Sequence, residues 1–148
     1  MKKLLSTHGS KRLFGCLLFL FILFSSFKSI AQSNAFSDDF IENCIREVFQ
    51  DKADELVFNS TSIRYQYLSD FVKNQVQVEY RPEYASKGFD STNDLQLNNK
   101  YNPSMQKDNS YNAATFNPLK YQLPMNPLNR KIFRIANTDY VLIIKPKK

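Results

Sequence analysis

The sequence predicts an α+β fold: one or two N-terminal helices packed on a small antiparallel sheet, with a long Asn/Pro-rich loop wrapped around both. Three observations carry this expectation. Apolar residues recur at helical spacing from Phe36 to Ala53, and apolar and polar residues alternate in Val76-Gln77-Val78-Glu79-Tyr80. Near the C-terminus, two strand-like runs are separated by the turn formers Asn137-Thr138-Asp139. Helices followed by strands, without alternation of the two, place helices and sheet in separate layers of one domain.

The elements follow in order. Residues 1–31 read as an export signal. Lys2, Lys3, Lys11 and Arg12 precede an apolar run from Cys16 to Phe27, and Ser29-Ile30-Ala31 supplies the small-x-small pattern of a cleavage site. The run falls short of the roughly 20 apolar residues a membrane-crossing helix needs. Cleavage between Ala31 and Gln32 is therefore expected, with no stable membrane insertion afterwards; an uncleaved N-terminal anchor is the alternative, because Lys28 lies close to the cut. The remainder, 32–148, has the length of a single small domain.

Within it, Phe36, Phe40, Ile41, Cys44, Ile45, Val48, Phe49 and Ala53 form the stripe of an amphipathic helix over Ser37–Ala53. Ser37 is its expected cap, Asp38 and Asp39 suit the first turn, and Phe36 is placed to staple onto Ile41. Asn59 and Ser60 break the chain before a second helix over Thr61–Lys73, whose apolar side is read as Ile63, Tyr67, Leu68, Phe71 and Val72. Val76–Tyr80 alternates as a strand with one buried face, ended by Pro82. Lys131–Ala136 and Tyr140–Lys145 form the C-terminal β-hairpin, and Val141-Leu142-Ile143-Ile144, apolar on both faces, suits a central strand.

Residues 81–130 have little regular pattern. Asn-Pro pairs at Asn102, Asn117 and Asn126 disfavour helix and start turns. Yet an apolar anchor falls every few residues, too many for a solvated linker. Phe116–Leu128 is expected to lie extended against the core, and Lys87–Tyr111 to be the looser part.

Composition narrows the chemistry. Five of the 20 basic residues (Lys2, Lys3, Lys11, Arg12, Lys28) belong to the signal, so the remaining chain is near balance with its 14 acidic residues. That removes the electrostatic case for a nucleic-acid partner. Charge is segregated instead: Asp38–Glu55 is acid-rich and Lys120–Lys148 base-rich, an arrangement that draws the two ends of one domain together. The one histidine, His8, lies in the signal, so Ser-His-Asp and Cys-His catalysis and most zinc sites lack their imidazole. Gly88 is the one glycine after Ala31, which excludes glycine-rich phosphate loops. Cys44 is the one cysteine after Ala31, so no internal disulfide is expected and the thiol is read as a small core hydrophobe. No catalytic residue, metal site or cofactor is assigned. Asp38, Asp39 and Glu42 are read as complements of the helix dipole rather than ligands.

The aromatic residues offer the remaining function. Tyr101, Tyr111, Phe116 and Tyr121, in the Asn-rich loop, are the candidate interaction surface, since tyrosine combines rigid contact area with a hydroxyl. Two short sequences resemble processing signals of exported proteins of the Bacteroidota. Ala31-Gln32 resembles their cleavage junction, and Asp90-Ser91-Thr92 resembles their O-glycosylation acceptor, which would modify Ser91. Phe116-Asn-Pro-Leu-Lys-Tyr121 with Asn137-Thr-Asp-Tyr140 resembles the tail of small uncharacterised exported proteins of that group, a likeness that implies origin and no activity. The expectation is an exported, non-enzymatic envelope protein, periplasmic or extracellular, that binds another envelope protein as an accessory subunit. The alternatives are a glycan or peptidoglycan binder using loop tyrosines and asparagines, and a hydrolase built on two facing carboxylates.

Overall fold

The computed structural model describes residues 36–147, so the signal and the Ala31–Gln32 junction lie outside the described residues. The apolar stripe becomes α1, Asp38–Phe49, which buries Ile41, Cys44, Ile45 and Val48. Ser37 caps it from extended backbone, its Oγ accepting from the Phe40 N–H at 3.2 Å. Phe36 stacks on the Phe40 ring, centroids 5.1 Å apart. The expected run to Ala53 is interrupted at Gln50, whose φ of 50° and ψ of −133° cannot continue a helix. A 3-10 turn (Gln50–Lys52) and the short α2 (Ala53–Leu56) follow, with Ala53 and Val57 fully buried.

Asn59 breaks the chain as expected: its Oδ1 accepts from both the N–H and the hydroxyl of Thr61. The second helix is α3, Arg64–Asp70, continued by a π-helical turn over Phe71–Gln75. Its buried face is Leu68, Phe71, Val72 and Gln75, and this corrects the predicted one: Ile63 is 79% exposed and Tyr67 is exposed too. At about 100° per residue, Ile63 lies roughly 130° from the middle of that face and Tyr67 roughly 90°. Apolar character alone does not choose between overlapping stripes.

The sheet is the predicted one. β1 (Val76–Tyr80), β2 (Lys131–Arg134) and β3 (Tyr140–Ile144) are antiparallel in the order β1-β3-β2. Val78 and Phe133 both stand opposite Leu142, and Val76 and Lys131 opposite Ile144. The doubly apolar run is thus the central strand, buried from Val141 to Ile144. Its hairpin closes through the Ile135 N–H donating to Tyr140 O at 2.9 Å, with Asn137 left-handed at φ 56°. Val76, Val78, Phe133, Leu142 and Ile144 join the buried residues of α1 and α3 in one apolar cluster.

Residues 81–130 carry the chain from β1, at one edge of the sheet, to the far side of β2, where Ser91 bridges Arg134. Phe116, Leu119, Tyr121 and Leu123 are buried and Met125 packs against them, so the segment does lie against the core, but not to its end; Leu128 is 96% exposed. Lys87–Tyr111 has anchors of its own in the buried Thr92 and Met105. The asparagines do more than start turns. Asn117 Nδ2 donates to Cys44 O and to Glu47 Oε2, both at 2.9 Å, and Asn102 Nδ2 donates to Glu47 O at 2.8 Å. Asn98 Nδ2 donates to the carbonyls of Leu119 and Tyr121 at 2.8 and 3.0 Å. Amides therefore hook this irregular segment onto α1 and onto itself, and in the loop they satisfy carbonyls that have no ladder to join.

Among the described residues, one ion pair joins the acid-rich and base-rich stretches. Lys120, nearly buried, sets its Nζ 2.8 Å from Asp108 Oδ1 and 3.6 Å from Glu47 Oε1. Tyr121 donates from its hydroxyl to Asp108 Oδ2 at 2.8 Å, and burial pushes the phenol above its ordinary value.

Candidate functional site

The end of α1 and the loop together enclose an apolar groove. Val48 and Phe49 of α1, Leu68 of α3, and Leu97, Tyr101, Leu119 and Met125 of the loop line a cavity of about 470 Å³. That is within the roughly 300–1,000 Å³ range of ligand pockets, which are mostly apolar with few polar groups. The loop wall is held by a bridge between Leu97 and Tyr121 and by the Gln122 N–H donating to Gln96 O at 2.9 Å. Asn98 and Gln122 both line the groove, but their amides are spent on loop carbonyls. Asn99, Lys100 and Gln122 are the exposed polar residues of its lining.

Of the four residues expected to form a contact surface, the structure divides the set. Tyr101 belongs to the groove: half-buried, it stacks on Phe49 with centroids 5.6 Å apart and rings inclined by 25°. The Lys100 ammonium stands 5.2 Å from the same ring centroid. Tyr111 is half-buried and packs on Phe116 at 5.6 Å and on Tyr140 at 4.3 Å, away from the groove lining. Phe116 and Tyr121 are 2% and 1% exposed, so they are core residues and present no contact surface. The correction has a simple cause. An irregular segment has no period from which its inward side can be read, and contact with α1 decides it.

Ser91 is half-buried at the start of a 3-10 turn, Thr92–Asp94. Its Oγ accepts from the Asn93 N–H at 3.2 Å, and its own N–H donates to Asp94 Oδ2 at 3.0 Å. Thr92 beside it is fully buried, its Oγ1 accepting from the Ala136 N–H at 3.3 Å. Ser91 lines a second, polar hollow of about 450 Å³ with Arg134, Asn137 and Asp139.

Two acids of α1, Asp38 and Glu47, are engaged with cations. Asp38 is held below the usual carboxylate value by the hydrogen bond and charge of Lys73. Glu47 and Asp108 meet through the Lys120 ammonium rather than across an open groove. Cys44 is buried, and its thiol is pushed up to about 12, first by desolvation and then by Glu47.

The sequence reading missed Phe49, Leu97 and Met125 as groove residues. Each was legible as apolar, but the groove exists only because residues far apart in the chain meet. No family model matches this chain, and neither a curated protein nor a solved structure matches it.

Proposed function

We propose that this is an exported, non-enzymatic protein of the bacterial envelope that acts by binding another protein, as an accessory subunit of an envelope complex. The observation that carries the reading is the apolar groove beside Tyr101, framed by Phe49, Leu97 and Met125. Its occupant is an extended segment of the partner whose aliphatic side chains enter the groove and whose acidic residue meets Lys100. Aromatic anchors in partly desolvated pockets are the usual energetic centres of such contacts.

A glycan in the same place finds less to hold. Phe49 covers one face of the Tyr101 ring, and two of the amides that would bind hydroxyls already serve the loop. Catalysis has no imidazole after Ala31 to draw on. The signal-like residues 1–31 supply the reason to place the protein outside the cytoplasm.

The test is crosslinking in envelope extracts with the unaltered chain, Leu97→Arg and Tyr101→Ala, each checked for an unchanged urea midpoint. A stoichiometric partner captured by the unaltered chain and lost with both variants is the expected result. Capture unaffected by either variant would overturn the reading, as would a carbohydrate array on which the unaltered chain binds and Tyr101→Ala does not.

A further inference from the structure

The outer edge of β1 is an unfinished strand edge. Gln75 and Arg81, which bracket β1, both bond toward the β3 side: the Lys145 N–H donates to Gln75 O at 2.8 Å, and the Arg81 N–H donates to Asp139 O at 2.7 Å. Main-chain direction alternates along a strand, so Gln77 and Glu79 also face β3, while Val76, Val78 and Tyr80 turn their N–H and C=O groups the other way. The Val76 N–H is taken by Phe71 O, which closes the π-helical turn. Among the described residues, no group accepts from the N–H of Val78 or Tyr80, and none donates to the C=O of Val76 or Val78. Val78 is 5% exposed as a whole residue because its side chain belongs to the core.

The opposite edge is covered at one end only, since Ile132 also turns outward and, among the described residues, has no main-chain partner there. There the Arg134 N–H donates to Asp90 O at 2.8 Å, and Arg130 and Lys131 put positive charge beside the strand. Val76–Tyr80 contains no lysine, arginine or proline, the residues that normally guard an exposed edge. Tyr80, at the end of β1, is 59% exposed.

We propose that β1 pairs with β1 of a second copy of this chain, antiparallel about a twofold axis at Val78, joining two three-stranded sheets into one. The residues complement themselves in that register. Val78 meets Val78 of the other copy, with each N–H donating to the other's C=O. The Tyr80 N–H donates to the C=O of Val76, whose own N–H is already occupied and makes no demand. On the other face, Gln77 stands opposite Glu79 in both halves; within each chain Gln77 Nε2 already donates to Glu79 Oε1 and Arg81 pairs with Glu79 Oε2, so the pairing shares these groups between copies. Shifting the axis to Glu79 would oppose two like charges and set Pro82 against Val76; shifting it to Gln77 would run the pairing into the helical turn at Gln75. Val78 pairing therefore keeps the whole strand and no repulsion.

The test is sedimentation of the purified protein across a concentration series, with amide hydrogen exchange followed residue by residue. Dimer is expected to grow with concentration, and the Val78 and Tyr80 amides to pass from unprotected to protected in step with it. Gln77→Glu sets like charges opposite one another twice per dimer and is expected to raise the dissociation constant about tenfold, whereas Gln77→Lys, facing Glu79, lowers it. A chain that stays monomeric throughout, amide protection that ignores concentration, or two charge variants that shift the constant the same way would each overturn the proposal. The unaltered chain alone decides should either variant misfold. The groove residues take no part in this pairing, so its failure leaves the partner-binding test unaffected.

Discussion

Replacing Asn117 is expected to be the most damaging single change in the loop, and its cost follows from three hydrogen bonds. Its Nδ2 donates to Cys44 O and to Glu47 Oε2, and its Oδ1 accepts from the Leu119 N–H, all at 2.9 Å. Asn117→Ala removes all three and strands the Leu119 amide in a buried place. A neutral bond contributes about 1 kcal/mol net, and an orphaned buried donor costs about 1–3 kcal/mol. The bond to Glu47 belongs at the low end for a charged partner, because that side chain keeps 41% of its surface in water. Together these give a loss of about 3–4 kcal/mol, a large part of the roughly 5–15 kcal/mol that holds a small domain folded.

Asn117→Asp separates the donor from the acceptor. It keeps the acceptor for Leu119 but turns an oxygen toward Glu47 and Cys44 O, where ionisation is repelled and the protonated acid can donate. Its folded pKa is therefore raised above the unfolded value of about 3.9. For a group shifted in that direction, stability is fully present below the unfolded value and is lost as pH rises through the folded one. The gap between this variant and the unaltered chain should thus widen from about pH 4.5 to about pH 7.5. Urea unfolding at both values reads it directly. A cost below about 1 kcal/mol for Asn117→Ala, or a gap for Asn117→Asp that is the same at both pH values, would refute the hook assigned to this amide.

Three further outcomes follow from the same structure. Lys120→Met takes away the ammonium shared by Asp108 and Glu47 and should cost about 2–3 kcal/mol, less than a fully buried pair because both carboxylates keep some water; a double-mutant cycle with Asp108→Asn should recover about half, and strict additivity would argue against the network. Asp38 is lowered by the Lys73 hydrogen bond and Asp70 by that of Asn74 and then Lys147, so their contribution is present above the unfolded value of 3.8 and is lost as pH falls through the lowered folded values. Urea midpoints measured down the acid limb should fall less steeply in the double variant Asp38→Asn/Asp70→Asn than in the unaltered chain, and equal slopes would discount both pairs. Cys44, with its thiol raised to about 12 by burial, should react with a thiol reagent only as the chain unfolds in urea, whereas rapid labelling of native protein would contradict its place in the core.

How far the sequence could be read depends on where each signal resides. β1 and the hairpin carry theirs in adjacent residues: alternation in Val76–Tyr80, four apolar residues in a row at Val141–Ile144, and turn formers between Ala136 and Tyr140. Each of these elements appears where expected. α1 is equally local, up to Gln50, whose left-handed φ no neighbouring residue announces. α3 shows the limit, since Ile63 and Tyr67 fit an apolar stripe as well as Phe71 and Val72 do, and only the position of the sheet selects between them.

The loop shows that limit more sharply. Phe116 and Tyr121 look like neighbours of Tyr101 in composition, yet they are core residues and Tyr101 lines a groove. Lys120, a residue type that rarely leaves water, is nearly buried because Asp108 and Glu47 close around it. The chain's letters alone determined the helix stripe, the strand alternation, the hairpin, and the lack of histidine after Ala31. The folded arrangement alone decided which aromatic rings face water, which amides become hooks, and where the groove opens. The reason is that periodicity is a relation among near neighbours, whereas burial of an irregular segment depends on partners such as Cys44 and Asn117, far apart in sequence and 2.9 Å apart in space.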